Sequence, residues 1–160
     1  MFIRLAEERD IPGILSLLLQ IGDVHHQLRP DIFRAGAQKY DRQALLALLT
    51  HPQRPIYVAE QAGNVAGYAF CVLKSQPENA VMLQRTEFYI DDLCVDQRCR
   101  GQGIATALYR HVCTAAKALG CKYVTLNVWH GNESAMAFYK KMGLRPRNTT
   151  MELPLEDTGC

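Results

Sequence analysis

The segment RCRGQGIATAL at residues 98–108 has the composition of a loop that binds an anion. Arg98 and Arg100 precede Gly101 and Gly103, and an apolar pattern typical of a helix follows them. Where a glycine-rich loop leads from a strand into a helix, backbone N–H groups converge and favour negative charge. Glycine lets a ligand approach the backbone closely, and Gly101 can adopt a positive φ. The spacing therefore predicts an anion-binding site.

Two common phosphate-binding motifs do not fit this loop. The P-loop needs the pattern G-x-x-x-x-G-K-[ST], which the loop lacks. The dinucleotide fingerprint needs a third glycine and an acidic residue about 20 positions later. Thr106 and Lys122 stand near those two places, and the loop comes late in the chain rather than after its first strand. The anion is therefore expected to belong to another class of ligand.

The charge of the chain changes sign on either side of the loop. Residues 76–96 hold five acidic residues and one basic residue, whereas residues 96–147 hold nine basic and two acidic residues. The whole chain has a net charge of only +2, so the distribution is more informative than the sum. A basic segment that follows an acidic one suggests an anionic ligand beside a cationic one, although an ordinary solvated surface could show the same pattern.

Helices and strands that could position this loop are expected along most of the chain. Alternating or β-branched apolar runs predict strands at 2–6, 56–60, 65–74, 81–95, 123–129 and 149–155. Apolar residues at helical spacing predict helices from Ile11, over 42–50, from Ile104 to Leu119 and over 133–142. Residues 22–40, which include His25 and His26, have weak periodicity and predict a long connection with at most a short helix.

The order of these elements, β-α-α-β-β-β-α-β-α-β, indicates an α/β fold class. A short turn between the strands at 56–60 and 65–74 predicts an antiparallel hairpin, and the strand–helix–strand crossover after it predicts one parallel pair. We therefore expect a mixed, mostly antiparallel central sheet with helices on both faces. The chain has 160 residues, so we expect a single domain over 1–155 and a flexible tail at 156–160.

Three segments together resemble the GNAT superfamily of acetyl-CoA-dependent N-acetyltransferases. They are IDDLCV at 90–95, the glycine loop, and NESAMAFYKKMGL at 132–144. The family's loop pattern, [QR]-x-x-G-x-[GA], matches in two registers that begin at Arg98 and at Arg100, of which the second is preferred. The resemblance is clear from about Ile56 to Arg145, and the strand–helix–helix order before Ile56 also fits. It implies the GNAT fold, which agrees with the predicted element order.

The resemblance implies that acetyl-CoA is the co-substrate and that no metal is required. The pyrophosphate of acetyl-CoA would lie on the loop and the first turn of the next helix, and its pantetheine arm would pair with the preceding strand. The implied cofactor-binding residues are Leu93, Cys94, Val95, Arg98, Arg100, Gly101, Gln102, Gly103, Ile104, Ala105, Thr106, Asn132 and Tyr139. Asn132 could also serve as the N-cap of the helix that follows it.

The resemblance also implies that an amine attacks the thioester directly. A free amine has a pKa of about 10, so a base must remove a proton, often through a water molecule. The candidates are Asp91, then Asp92, then Glu87, and a regular strand would point Asp91 and Asp92 to opposite sides. These carboxylates could instead be structural or bind a cationic substrate. Tyr139, in the family pattern F-Y-x-x-x-G, is the implied acid for the leaving thiolate.

The leading hypothesis is an N-acetyltransferase that acts on a primary amine. The acidic stretch 76–96 favours a cationic acceptor, such as a small amine, an amino acid or a protein N-terminus. The alternative is a non-catalytic acyl-CoA-binding or regulatory domain on the same fold. Nucleic-acid binding is not expected, because the basic segment has no recognised motif. We expect His25 and His26 to lie on the surface or in the acceptor pocket, and Trp129 to line the acceptor cleft or the core.

Several expectations concern the environment of the protein. The chain has no run of 18 apolar residues and no signal-peptide pattern, so a cytoplasmic location without membrane contact is expected. The six cysteines form no C-x-x-C pair and are expected to be reduced thiols: Cys71, Cys94, Cys99, Cys113, Cys121 and Cys160. A homodimer is also considered, because dimers are common among GNAT proteins.

Overall fold

Five strands lie side by side in chain order and form the central sheet. In this computed structural model, which describes residues 1–155, the strands are β1 (Phe2–Leu5), β2 (Ile56–Gln61), β3 (Asn64–Gln76), β4 (Arg85–Val95) and β5 (Tyr123–Leu126). The strands from β1 to β4 pair in antiparallel fashion, and β4 pairs with β5 in parallel. A parallel pair needs a crossover connection, which the chain makes through a helix.

Helices cover both faces of this sheet. The helices of the sheet-bearing part are α1 (Ile11–Leu28), α2 (Arg42–Leu49) and α3 (Ile104–Ala118). The first two pack on one face, over Val58, Tyr68 and Phe70. The third packs on the other face, over Ala59 and Phe88. Successive side chains of a strand point to opposite faces, so one strand can serve both layers. The predicted α/β fold, with a mixed and mostly antiparallel sheet, is confirmed.

The two apolar layers hold β4 in place from both sides. Ile14 and Leu18 of α1 and Leu108 of α3 are at most 1% exposed. Burying side chains of this size contributes about 1.5–3 kcal/mol each. Along β4, Ile90 packs in the layer under α3, whereas Cys94 packs in the layer under α1. The strand that precedes the glycine loop is therefore fixed in position by the core.

The chain divides into two compact units, Met1–Trp129 and a smaller unit that begins at His130. The smaller unit holds α4 (Glu133–Lys141), and Gly143 follows that helix with a φ of +95°. The single domain over 1–155 stays a prediction, and the tail predicted at 156–160 lies outside the described residues. The five cysteines within residues 1–155 are free thiols. In that range, no helix is both long and apolar enough to cross a membrane.

Some element boundaries differ from those predicted from the sequence. α1 continues to Leu28, so the prediction of a connection from residue 22 was wrong. The last turns of this helix are only half-buried, and a helix turn that is not packed in the core does not need the apolar periodicity on which the prediction relied. β4 begins at Arg85 rather than 81, and β5 ends at Leu126 rather than 129. The strand predicted at 149–155 does not form in the described part of the chain. A strand needs a neighbour for its backbone hydrogen bonds, and this segment pairs with none of the five.

Candidate active site

A β-bulge in β4 changes the direction of its acidic side chains. In the pairing with β3, Asp92 lies opposite Phe70 and Ile90 lies opposite Cys71, so Asp91 is an extra residue with no opposite partner. A bulge of this kind bends the strand and alters where its side chains point. The regular alternation on which the sequence prediction relied is therefore interrupted at Asp91.

As a consequence, Asp91 and Asp92 lie on the same face of the sheet. Asp92 accepts a hydrogen bond from Tyr68, which belongs to the apolar layer under α1. Asp91 contacts Lys39 and Tyr40, and Tyr40 packs against that same layer. A regular strand would have placed the two carboxylates on opposite sides, but the bulge supplies one extra residue between the two regular parts of this strand.

The carboxylate of Asp92 has the character of a proton acceptor that works near neutral pH. Burial raises its pKa from 3.8 to about 6, against the opposing effects of the Tyr68 hydroxyl and the Lys39 ammonium. Asp91 adds a further small increase through its negative charge. The Tyr68 hydroxyl donates to Asp92 Oδ2 over 2.8 Å, and Tyr68 itself is fully buried. Asp92 is thus held in one orientation by a rigid donor.

Asp91 is engaged by a lysine from the connection between α1 and α2. Lys39 Nζ lies 2.6 Å from Asp91 Oδ2, with 46% of the lysine side chain and 18% of the aspartate side chain exposed. Burial is the largest single effect and by itself lowers the pKa of Lys39, but the hydrogen bond to Asp91 and the nearby negative charges together raise it. The Tyr40 hydroxyl donates more weakly to the same oxygen, over 3.4 Å. The Asp91 carboxylate is therefore less available to a substrate than the sequence suggested.

Glu87, the third candidate base, is also paired. Arg85 Nε lies 2.9 Å from Glu87 Oε2, and only 14% of the Glu87 side chain is exposed. Glu87 lies opposite Tyr123 in the part of β4 where β5 is still paired to it. It therefore lies away from the open end of β4 that leads to the loop.

The end of β4 nearest the glycine loop has an open edge. Pairing with β5 stops at the pair of Ile90 and Leu126, so Leu93, Cys94 and Val95 have no strand beside them on that edge. The Asp96 N–H donates toward β3, and alternation along the strand then directs the Val95 carbonyl to the open side. There the Arg100 Nε donates to it over 3.5 Å. The opening provides backbone groups with which an extended ligand can pair.

The glycine loop leaves space above its backbone and ends in free N–H groups. Gly101 and Gly103 have φ values of +77° and +80°, and a Cβ atom at either position would meet no atom within 4 Å. α3 begins at Ile104, and its first hydrogen bond runs from Ala107 N–H to the Gly103 carbonyl over 3.0 Å. The amides at 104–106 therefore have no partner inside the helix. No acidic residue lies in the first turn to compete for them.

The two arginines before the loop differ in their contacts. Arg98 forms an ion pair with Asp96 over 2.7 Å, and this hydrogen bonding lowers the pKa of Asp96 to about 2. Arg100 is exposed, and its Nε makes a long contact of 3.5 Å to the Val95 carbonyl. Gln102, between the glycines, accepts a hydrogen bond from Gln61 Nε2 over 3.2 Å. Arg100 is thus better able than Arg98 to turn toward an anion.

The smaller unit carries the remaining two predicted site residues. Asn132 Oδ1 accepts a hydrogen bond from the Ala135 N–H over 3.2 Å, so it is the N-cap of α4. Tyr139 lies on the same helix, with its ring edge-on to Phe138 at 5.0 Å between centroids. The N-cap function of Asn132 is confirmed, whereas the contacts of both residues with a cofactor stay predictions.

An aromatic cluster, formed by His25, Phe33 and Trp129, lies on the α1 side of the sheet-bearing unit. The His25 ring stacks on Phe33 at 4.9 Å, and Trp129 meets Phe33 edge-on at 5.1 Å. Burial and the nearby charge of Lys39 lower the pKa of His25. His26 lies within 2.7 Å of the Phe33 carbonyl through Nδ1. Trp129 therefore joins a surface near Lys39 rather than the central core.

Sequence reasoning missed Lys39, Tyr40 and Tyr68 as members of this site. Lys39 and Tyr40 lie in a connection without periodicity, more than 50 residues before the carboxylate that they contact. Tyr68 had the sequence pattern of an ordinary strand residue. Across residues 1–155, no group of three or more His, Cys, Asp or Glu side chains could hold a metal ion.

Comparison with known proteins agrees with this arrangement. The sequence model of the Acetyltransferase (GNAT) family matches residues 23–144. The chain is 27% identical over 153 residues to glucosamine 6-phosphate N-acetyltransferase from Trypanosoma brucei brucei, which covers 96% of this chain and 95% of the relative. It is 27% identical over 143 residues to the peptidyl-lysine N-acetyltransferase YjaB from Salmonella typhimurium, covering 89% and 82% of the two chains.

A solved structure has the same fold as this chain. A mutant of the BH1408 protein from Bacillus halodurans superposes with a TM-score of 0.92 at 31% identity, covering 96% of this chain and 99% of that one. The family match spans the bulged strand, the glycine loop, α3 and Tyr139. The family match and the named relatives show that the chain is an acyltransferase enzyme. The chain belongs to the GNAT family of N-acetyltransferases.

Proposed function

We propose that the protein transfers an acetyl group from acetyl-CoA to the nitrogen of a primary amine. The observation that carries this proposal is the continuity of β4 with the glycine loop. The bulged strand holds Asp91 and Asp92 on one face, and its end, which has no partner on the β5 side, leads through the glycine loop to the N-terminus of α3. A single stretch of chain therefore offers carboxylates that can accept a proton, a strand edge that can pair with the extended arm of acetyl-CoA, and N–H groups that can bind its pyrophosphate.

The residues of the loop fit the pyrophosphate of acetyl-CoA. Gly101 and Gly103 form a cradle that side chains would fill, and the free N–H groups at 104–106 carry the positive end of the helix dipole. Gln102 lies between the glycines and can contribute its backbone N–H. Arg100 is the side chain best placed to turn toward the phosphates, and Arg98 is held by Asp96. These contacts favour the loop register that begins at Arg100.

The open edge of β4 fits the extended arm of the same molecule. Leu93 and Val95 present backbone groups on the edge that β5 leaves unpaired, whereas the backbone groups of Cys94 face β3. An extended chain can pair with a strand edge through main-chain hydrogen bonds. One of these N–H groups would also stabilise negative charge that develops on the acetyl oxygen during transfer. Asn132 is proposed to contact the arm in addition to capping α4.

Asp92 is the better candidate for the general base, and Asp91 becomes the second. Acetyl-CoA supplies an acetyl thioester, and the chain must deprotonate the attacking amine. A base whose pKa is about 6 is mostly ionised at neutral pH and still accepts a proton there. Asp91 is held by Lys39 Nζ at 2.6 Å, which makes its carboxylate less available to a substrate. The aspartate side chain is short, so a water molecule is expected to connect it to the amine.

Tyr139 is proposed as the acid that protonates the leaving thiolate. A tyrosine hydroxyl with an ordinary pKa near 10 can donate to a thiolate whose conjugate acid has a pKa of about 8–9. The support is its position in the family pattern F-Y-x-x-x-G on α4. Two of the relatives are named for amine acceptors, a glucosamine phosphate and a peptidyl lysine. A primary amine that is cationic before deprotonation is the acceptor class proposed here. A cytoplasmic location and a homodimer stay predictions.

The proposal is tested by measuring acceptor-dependent thiol release from acetyl-CoA with a panel of primary amines. We expect release of CoA only when an amine is present, with the N-acetyl product detected by mass spectrometry. Tight binding of acetyl-CoA without release for any amine would instead support a non-catalytic acyl-CoA-binding domain. Absence of acetyl-CoA binding would refute both functions.

A further inference from the structure

Three of the five acidic residues in the stretch 76–96, which favoured a cationic acceptor, are paired with cations in the folded protein. Glu87 pairs with Arg85 over 2.9 Å, Asp91 with Lys39 over 2.6 Å and Asp96 with Arg98 over 2.7 Å. The sequence shows two of these cations nearby, but Lys39 arrives from a distant connection. An acceptor at this face therefore does not meet a simple excess of negative charge.

A second lysine lies over the ring of Tyr89, two residues before Asp91 in β4. Lys74 of β3 places its Nζ 3.5 Å from the centre of the Tyr89 ring. Tyr89 in turn feels the charges of both Asp91 and Lys39, while burial raises the pKa of its hydroxyl. Lys39, Lys74, Asp91 and Tyr89 are therefore neighbours on one face of the sheet. This face carries lysine ammonium groups beside the carboxylates of β4.

The ammonium of Lys39 can still bind a further group. It has three N–H donors, of which one is directed at Asp91, and 46% of its side chain is exposed. The aromatic cluster lies near it, since Lys39 contributes to the lowered pKa of His25. A neutral His25 adds no further positive charge to this surface. Lys39 thus has solvent access and two further N–H donors, and it contacts the residue next to the proposed base, Asp92.

We propose that the acceptor carries an anionic group, a carboxylate or a phosphate, near its amine, and that Lys39 binds this anion. The inference rests on the proposed function and specifies its substrate class. An amine that also carries an anion matches both signs of charge, because the amine lies toward Asp92 and the anion toward Lys39. A simple diamine would instead bring a second cation against Lys39 and Lys74.

The test uses two pairs of acceptors that differ only in the anion. One pair is lysine and its decarboxylated form cadaverine, and the other is glucosamine 6-phosphate and glucosamine. For wild-type protein we expect kcat/KM to be at least about tenfold higher for the anionic member of one pair, mainly through KM, because a hydrogen bond between charged groups is lost in the other member. The pair that shows the preference distinguishes a carboxylate from a phosphate.

Variants of Lys39 show whether that residue is responsible. Lys39→Gln is expected to abolish the preference within the pair, and Lys39→Arg to retain part of it. Arg42→Gln, which breaks a surface ion pair with Glu8, is the matched control and should keep the wild-type preference. The ratio of kcat/KM between the two acceptors of a pair is informative, because a general structural defect would lower kcat/KM for both acceptors by the same factor.

Two results would overturn the inference. One is a wild-type enzyme that, in both pairs, uses the member without the anion as well as the member with it. The other is a Lys39→Gln enzyme that keeps the full preference. If Lys39→Gln fails to fold, the wild-type comparison and Lys39→Arg still decide the question. Amine-independent thiol release, or none with any amine, would refute the proposed function itself and the inference with it.

Discussion

Removal of the Tyr68 hydroxyl should move the pH dependence of catalysis to higher pH. Tyr68 is fully buried and donates to Asp92 Oδ2 over 2.8 Å. This hydrogen bond favours the ionised carboxylate, because a negatively charged oxygen accepts the Tyr68 hydroxyl more strongly than the oxygen of a protonated carboxyl does. In Tyr68→Phe the ring is kept and the donor is lost. The carboxylate of Asp92 should therefore bind its own proton more tightly.

The size of the effect follows from the energy of one hydrogen bond to a charged group. Such a bond contributes about 1.5–3 kcal/mol, and about 1.4 kcal/mol corresponds to a tenfold change in proton affinity. The acidic midpoint of the kcat/KM profile, expected near pH 6 for wild-type protein, should rise by about one to two pH units. The other charged or titratable groups that face Asp92, namely Lys39, Asp91 and Cys94, remain unchanged.

The assay is thiol release from acetyl-CoA with a saturable amine, followed from about pH 5 to about pH 9. We expect Tyr68→Phe to be impaired most at the acidic end and to approach the wild-type rate at the alkaline end. Tyr57→Phe is the matched control, because Tyr57 is a buried tyrosine of the opposite layer. An unchanged midpoint in Tyr68→Phe, or a fall at every pH by the same factor, would refute the assignment of Asp92 as the base.

Three further predictions test separate parts of the site. Asp92→Asn should lose activity but gain up to about 3 kcal/mol in the free energy of unfolding at pH 7. The reason is that the pKa of Asp92 rises on folding, so ionisation of this carboxyl destabilises the wild-type protein as the pH rises from about 4 to about 6. Urea unfolding should therefore show the gain at pH 7 and no gain at pH 4. Tyr139→Phe should lower kcat at least about tenfold with little change in acetyl-CoA affinity, and full activity would exclude it as the acid. Gly103→Glu should abolish acetyl-CoA binding measured by calorimetry, whereas Gly103→Ala, at a φ of +80°, should mainly cost stability.

The sequence predicted those parts of the protein that depend on local patterns. The glycine loop, the helix after it and the cap at Asn132 depend on residues close together in the chain, and the structure has them where expected. The sheet with its hairpin and crossover followed from apolar periodicity in the same way. Glycine in a turn, an N-cap residue and apolar periodicity each act over a few neighbouring residues, so the sequence alone is enough to predict their effect on the backbone.

Features that arise from packing between distant segments were not predictable in this way. The bulge at Asp91 depends on the register between β3 and β4, and nothing in the letters IDDLCV indicates which residue is extra. Lys39 reaches Asp91 across 52 positions of the chain, from a connection without periodicity. The order of preference between Asp91 and Asp92 as the base therefore depends on contacts between distant segments of the chain.

The most direct test of the central claim is transfer of an isotope-labelled acetyl group from acetyl-CoA by wild-type protein and by Asp92→Asn. We expect the wild-type enzyme to place label on the amine nitrogen in an amount equal to the thiol released. We expect Asp92→Asn to bind acetyl-CoA normally and to transfer label at least about tenfold more slowly. Label that reaches no amine, or transfer by Asp92→Asn at the wild-type rate, would contradict the proposed catalytic role of this bulged strand.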